Sequence, residues 1–336
     1  MITMLPFKPT SKTIVVSLVC SCLLLLLSWY LFCLLVPTGS GAIVHDVSFP
    51  TGSGVKKLAT ELKSAGIIRS SWHFIFVSRL RGQAHRLKAG DYCFNDAMTT
   101  TDILNKVVAG DVDYRQFVLP EGYSIYQAAE LLEQQGYFKK EDFLEKCRDK
   151  ALLDRLSIHA DSVEGYLYPA TYNLQRNETG EQLIEQMVGQ FNKVYSGIKE
   201  GEGRVGLSQY DVVILASVIE KEAILPEERP LISSVFHNRL RIGMPLQSDP
   251  TAVYGVRAFV GKVGKSDIEH RSPYNTYLIS GLPSGPIGNP GLAALKAALY
   301  PATTEYLYFV ARKDGSHQFS RTLDEHNLAV VRYLKH

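Results

Sequence analysis

The stretch Val212-Val213-Ile214-Leu215-Ala216-Ser217-Val218-Ile219-Glu220-Lys221-Glu222 carries the side chains best suited to chemistry. Its first turns are apolar nearly all round, so a helix formed there is buried. Glu220 closes the apolar run and, on a helix, shares a face with Val213, Ala216 and Ser217. Two of those neighbours are small and leave room for a ligand. Partial burial favours the protonated form of a carboxyl, as a general acid near neutral pH requires. Glu222 follows two positions later, turned roughly 200° around the helix. The pair therefore cannot face one cleft as acid and base. The plain alternative is that Glu-Lys-Glu is a solvated helix end.

Three downstream stretches supply neutral hydrogen-bonding groups and aromatics: Leu246-Gln247-Ser248-Asp249-Pro250-Thr251, Ser272-Pro273-Tyr274-Asn275-Thr276-Tyr277, and the glycine- and proline-rich run 281–291. Sugar sites use such groups, with Tyr faces stacking on pyranose rings while Asn, Gln and Asp bond hydroxyls and acetamides. Ordered turns have the same composition. Other catalytic signatures are missing: there is no His-Glu-x-x-His, no Gly-x-Ser-x-Gly and no phosphate-binding Gly-x-x-x-x-Gly-Lys loop. Ser53-Gly54-Val55-Lys56 matches Ser-x-x-Lys, without the Lys-Thr-Gly partner motif. The 9 His residues are scattered and show no metal-ligand spacing.

These residues need a scaffold, and the chain has 336 residues to build one, more than a typical domain requires. A 46% hydrophobic and 21% charged composition is an ordinary globular balance. A net charge of +2 is too mild for nucleic-acid binding. Ile14 to Val36 holds no charged residue. At ~1.5 Å per residue it is roughly 35 Å long, enough for a hydrocarbon core of about 30 Å. The run exceeds the hydrophobic region of a cleaved signal peptide and continues well past Cys22, which argues against a lipoprotein cysteine. Lys8 and Lys12 precede it, and the next basic residues are Lys56 and Lys57. The short N-terminus is thus expected inside and the remainder exported. Cys93 and Cys147 could pair or stand as separate thiols.

Residues 37–42 form a Pro/Gly/Ser linker. A weak internal repeat follows at an offset of 70 residues: Pro50-Thr51-Gly52 aligns with Pro120-Glu121-Gly122, Leu58-Ala59 with Ala128-Ala129, Leu62 with Leu132, and Gly66 with Gly136. Each copy predicts a strand, a Pro-x-Gly turn, an amphipathic helix stopped by Gly and a second helix. Beyond Gly165, helices are expected over 181–195, over 209–223 with Ser208 as cap, over 227–241, over 291–299 and over 323–334, with a strand over 306–311. From Met244 to Pro290 the chain is rich in loops, where binding residues usually sit.

The segments Ala216–Glu222, Phe236-His237-Asn238-Arg239-Leu240, Leu246–Thr251, Tyr274–Tyr277 and Gly281–Gly291 together resemble the endolytic murein transglycosylases, the MltG/YceG-like family. So do Glu164-Gly165-Tyr166-Leu167-Tyr168-Pro169, Ser316-His317 and His326-Asn327. The resemblance runs in order through nearly the whole chain after the anchor. It implies an α+β fold: a cytoplasmic tail (1–13), a transmembrane helix (14–36), the linker (37–42), a LysM-like module (43–120) and a mixed α/β YceG-like catalytic domain (121–336). It assigns the catalytic acid to Glu220. Where the family pattern has an Asp after the Pro of Glu-Gly-Tyr-x-x-Pro, this chain has Ala170.

The implied reaction is non-hydrolytic cleavage between N-acetylmuramic acid and N-acetylglucosamine, leaving 1,6-anhydro ends, and it implies neither metal nor organic cofactor. Gln247, Asp249, Tyr274, Asn275, Thr276 and Asn289 are the expected substrate-binding residues. Expected partners are peptidoglycan glycan strands, the bilayer of the inner membrane through one helix, and peptidoglycan synthases, with no nucleic acid. The alternatives are a hydrolytic muramidase pairing Glu220 with Asp249 or Glu164, and a tethered wall-binding scaffold without activity.

Overall fold

The structure, a computed structural model, describes residues 11–50, 52–176, 178–255 and 263–334. It divides into two compact units, Met1–Arg115 with Asn173–Asn177, and Gln116–Tyr172 with Glu178–His336.

The first unit contains α1 (Ser11–Leu35), β1 (Val44–Phe49), α2 (Val55–Ser64), α3 (Ser71–Leu80), β2 (Gly90–Asn95) and α4 (Thr100–Ala109). Among the described residues, α1 is the one helix long and apolar enough to cross a membrane, and it is compatible with a single-pass anchor. β1 and β2 pair antiparallel, with Val47 opposite Tyr92. Their inner faces close a core with Leu58 and Leu62 of α2, Phe74 and Val77 of α3, and Ile103, Leu104 and Val107 of α4. α4 starts at a capping box formed by Thr99 and Asp102 and stops at left-handed Gly110.

Residues 37–42 do not behave as a free linker. Asp96 is buried and needs donors for its carboxylate. The backbone N–H of Gly41 supplies one at 2.6 Å and that of Ile43 another at 3.4 Å. The Asp96 carbonyl accepts from Gly39 N–H at 2.7 Å and from the Thr38 hydroxyl at 3.2 Å. The segment is thereby clamped to the module that follows it.

The second unit opens with β3 (Arg115–Val118, its first residue in the first unit), α5 (Ile125–Gln134), α6 (Lys140–Lys146), α7 (Lys150–Arg155), β4 (Thr171–Leu174, its last two residues in the first unit) and α8 (Gly180–Ser196). It continues with α9 (Glu202–Val205), α10 (Gln209–Glu222), α11 (Arg229–Arg241), α12 (Asp249–Val253) and α13 (Lys265–Glu269), and ends with α14 (Leu292–Leu299), β5 (Tyr308–Ala311), β6 (His317–Ser320) and α15 (Leu323–Leu334). β3 pairs with β4 and β5 with β6. α10 is the core helix: Val212 through Ile219 are all buried, as its all-round apolar pattern predicts. A Ser208–Asp211 capping box starts it, and α14 and α11 pack against it.

The repeat is structural. Gly52 and Gly122 take φ of +82° and +75° at the two turns, and Gly66 and Gly136 take +76° and +69° where α2 and α5 end. Ile67 N–H bonds Leu62 O as Tyr137 N–H bonds Leu132 O. Each glycine holds a left-handed conformation that costs other residues energy. Thr51 of the first turn lies outside the described residues. The short helices α7, α9, α12 and α13 and the strands β4 and β6 have no counterpart in the sequence reading. Each is too short to show a period.

Replacing Asp96 by Ala leaves two backbone N–H groups without their carboxylate. We expect a destabilisation of about 1–3 kcal/mol, seen as an earlier denaturant midpoint for the first unit. An unchanged midpoint would mean that the clamp contributes nothing.

Candidate active site

Each residue along an α-helix turns about 100°. Glu220, Lys221 and Glu222 at the end of α10 therefore point into three different surroundings. None is a solvated helix end. The Glu220 side chain is only 5% exposed. Its Oε1 accepts from Arg229 Nη2 at 2.9 Å and its Oε2 from Gly291 N–H at 2.9 Å. Arg229 begins α11 and is itself buried. Its Nε is buried with no hydrogen-bond partner among the described residues.

Arg229 is held from behind. Glu228 accepts from His317 N–H at 2.9 Å and pairs with His317 Nδ1 at 2.6 Å, tying the start of α11 to β6. Gly291 lies against Glu121: a Cβ there would lie 1.9 Å from Glu121 Oε1, so any side chain at 291 would have to turn the Glu121 carboxyl away. The turn Pro120-Glu121-Gly122 thus brings a second carboxyl to the same glycine. Desolvation of its inner side, then the charge of Glu220, push the Glu121 carboxyl up, and Arg229 opposes them. A Cβ on Gly122 would come within 3.4 Å of Glu220 Cγ, so this turn packs directly on the glutamate.

Lys221 lies mostly buried toward Glu164. Burial lowers its pKa, against the carboxylates of Glu164 and Glu220. Glu164 is 3% exposed and accepts from Ile125 N–H at 3.0 Å, the Tyr254 hydroxyl at 2.7 Å and Asn289 Nδ2 at 3.1 Å. Burial pushes its carboxyl up to about 7 despite these donors. Glu222 faces the third way, where the Ser248 hydroxyl donates to it at 2.5 Å, and burial pushes it up to about 7 as well. The two glutamates of the motif do occupy separate surroundings, as their angular spacing requires.

The expected space beside Ala216 and Ser217 is filled by protein. Ser217 Oγ accepts from Ile287 N–H at 3.0 Å, so the 281–291 loop covers that face of α10. Three expected sugar-binding residues present no exposed surface: Asn275, Thr276 and Asn289 are each 0% exposed. Asn275 Nδ2 donates to the carbonyls of Asp267, Ile268 and His270. Thr276 Oγ1 accepts from Ser248 N–H and bonds Thr251 Oγ1. Asn289 accepts from Leu167 N–H and donates to Tyr123 O and Glu164. Their side chains hold loops in place, because a buried amide or hydroxyl must be satisfied internally.

Gln247 and Asp249 are exposed, and Asp249 accepts from the Tyr277 hydroxyl at 2.6 Å. Tyr274 is half-buried, its ring 4.7 Å from that of Tyr254. These three keep surface that a ligand can reach. The Phe236–Leu240 motif is a bracket: Asn238 Nδ2 donates to the carbonyls of Thr304 and Tyr306, and Arg239 to those of Leu246 and Leu307. Cys93 and Cys147 are both free thiols.

Sequence reasoning missed Arg229 and Glu121. Arg229 lies nine positions after Glu220, across a helix break, where no periodicity links them. Glu121 had a signal, since its place in the first copy of the repeat is taken by uncharged Thr51.

A profile described as the YceG-like family matches residues 47–332. An endolytic murein transglycosylase of Bacillus subtilis is 34% identical over 305 residues, covering 86% of this chain and 84% of its own. One from Streptococcus pneumoniae is 32% identical over 328 residues, covering 86% of this chain and 58% of its own, so the chain spans little more than half of that relative. The crystal structure of a YceG-like protein from Listeria monocytogenes superposes with a TM-score of 0.61 at 34% identity, covering 85% of this chain and 99% of that one.

Two outcomes are expected of this arrangement. Gly291→Ala puts a methyl group where the Glu121 carboxyl lies, so that side chain must turn away; turnover should fall while the thermal midpoint moves little, and unchanged turnover would show that Glu121 and Gly291 need not meet. Glu164 gives a pH signature. Its folded pKa lies above the ordinary 4.5, at about 7, so it contributes stability below pH 4.5 that is lost as pH rises through about 7. The stability gap between wild type and Glu164→Gln should therefore widen in favour of wild type as pH falls from 7 to 5, read as thermal midpoints. A gap independent of pH would contradict this.

Proposed function

The chain belongs to the YceG-like family, and we propose that it is a membrane-anchored endolytic murein transglycosylase that cuts peptidoglycan glycan strands. The observation that carries the reading is Glu220: a carboxylate at the end of a buried helix, with Arg229 on one oxygen and the Gly291 N–H on the other. The relatives named above supply the substrate class.

The chemistry needs one group that is an acid first and a base afterwards. Protonated Glu220 gives its proton to the glycosidic oxygen as the bond between N-acetylmuramic acid and N-acetylglucosamine breaks. The resulting carboxylate is matched at once by Arg229 and by the Gly291 N–H, which need no reorganisation. It then takes the proton of the muramoyl C6 hydroxyl as that oxygen closes on the anomeric carbon. A 1,6-anhydro end results, no water is consumed, and the residue returns to its starting state. Gln247, Asp249 and Tyr274 are the candidates for holding the strand.

Glu121 supports a second reading. It is a carboxyl beside Glu220, where Asp249 and Glu164 are engaged with Tyr277 and with Tyr254, Ile125 and Asn289. With Glu121 activating a water, the same site would hydrolyse the bond. A wall-binding scaffold without activity would form no product from glycan, which the product analysis below tests.

The first unit would act as a LysM-like module that holds glycan. α1 would place the N-terminus in the cytoplasm and the second unit in the periplasm, at the inner membrane, beside the peptidoglycan synthases whose products it cuts.

Mass spectrometry of products from purified glycan decides the chemistry. Ends lighter by one water than hydrolysed ends are expected, and reducing muramic acid alone would transfer the enzyme to the hydrolytic reading. Glu220→Gln should lower turnover by about 10²–10⁴-fold or more, since one residue supplies both proton steps. Glu222→Gln should cost far less. Near-normal turnover in a folded Glu220→Gln protein would overturn the assignment.

A further inference from the structure

We propose that α3 is a bilayer-surface helix: Trp72, Phe76 and Leu80 enter the boundary between headgroups and acyl chains in the leaflet from which α1 emerges, and the surrounding arginines bind anionic headgroups. The proposal rests on the reading of α1 as a membrane span.

Three observations carry it. The first is the shape of the helix. His73, Phe74 and Val77 face inward and are buried, while Trp72, Phe76 and Leu80 are 64%, 41% and 66% exposed. A spacing of four residues puts these three in one stripe. The Trp72 and Phe76 rings stack at 5.4 Å, which makes the stripe continuous. A helix with one apolar face in its own core and a second facing outward needs an apolar neighbour for the second.

The second observation is position. The end of α1 is joined to the same helix. The Tyr30 ring lies 5.2 Å from His73 and 6.1 Å from Phe76, and the Arg69 guanidinium sits 4.7 Å over Phe32. The Thr100 hydroxyl donates to the Cys33 carbonyl at 2.9 Å. The apolar helix Lys12–Leu35 has 24 residues. That is roughly 36 Å of helix against a hydrocarbon core of about 30 Å, so about one turn stands clear. The gripped residues are those of the last two turns. Phe76 is therefore one ring contact away from the point where the span leaves the hydrocarbon.

The third observation is charge. From Leu62 to Gly90 the chain has Lys63, Arg69, Arg79, Arg81, Arg86 and Lys88 and no Asp or Glu, in a protein whose net charge is only +2. All six are exposed. Basic residues flanking an exposed aromatic stripe are what an interfacial helix on anionic lipid uses. A second copy of this chain is the poorer occupant, because two such faces repel each other.

The chain has 2 Trp residues, Trp29 and Trp72, so the full-length Trp29→Phe protein reports on Trp72 alone. It is reconstituted into vesicles of phosphatidylcholine and phosphatidylglycerol whose acyl chains carry bromine near the headgroup. Trp72 emission should be blue-shifted, quenched by the bromolipid and shielded from aqueous acrylamide, and less so in vesicles of phosphatidylcholine alone. Replacing Phe76 and Leu80 by Ser in the same protein should weaken the quenching. Water-like emission open to acrylamide overturns the proposal. So does emission that is shielded without bromolipid quenching and varies with the protein-to-lipid ratio, which would assign the face to a second copy. The Trp72→Phe protein checks the premise: unquenched Trp29 would overturn the span and the proposal together. None of these readouts depends on glycan cleavage, so they fail or succeed apart from the enzymatic reading.

Discussion

A carboxylate taken out of water loses its hydration, and only a close opposite charge with well-placed donors replaces it. Glu220 depends on that replacement. Its partners come from two other elements, Arg229 from the start of α11 and the Gly291 N–H from the residue that caps α14. α14 presents its N-terminal, electropositive end to it, while α11 contributes the Arg229 side chain. The packing of α10, α11 and α14 is thus inseparable from the charge balance at one side chain. Moving any of the three would leave a buried charge without its counterpart.

The same economy explains the rest of the Glu-Lys-Glu motif. Three consecutive residues, stepped around a helix, reach three networks: Arg229 and Gly291, then Glu164, then Ser248. The long connections of the second unit are organised by these links. Ser248 and Thr276 fix the loop around 247–251, Asn275 folds the turn before 277, and Asn289 with Glu164 ties the glycine-rich loop to the start of α5. Loops of this length are ordered because buried polar side chains replace the regular hydrogen bonds they lack. Residues that resemble a sugar-binding inventory are, in half of the cases, the internal bonding of those loops.

The internal repeat shows one string of elements put to two uses. Both copies keep the left-handed turn glycines and the buried side of the first helix. In the second copy the turn carries Glu121 and lies against Glu220, whereas a Cβ on Gly52 in the first would meet nothing within 4 Å. In the first copy the second helix carries the exposed aromatic stripe instead. A fold element supplies a position, and the residues placed on it decide what the position does.

Local pattern alone determined much of this protein. The apolar run of α1, the all-round burial of α10, the Ser208 cap, the glycine stops of the repeat and the opposed faces of Glu220 and Glu222 each follow from spacing along one helix, which a linear sequence records. What tertiary structure decided is everything that depends on distance between segments. Arg229 and Glu121 meet Glu220 through packing that no periodicity announces. Asn275, Thr276 and Asn289 prove to be buried staples because burial is a property of the assembled core, and the same amide or hydroxyl serves a sugar when exposed and a carbonyl when enclosed. The 37–42 segment has the composition of a free linker, yet Asp96, more than fifty residues away, clamps it. Residue type states which bonds a group can make, and only the fold states which partner is within reach.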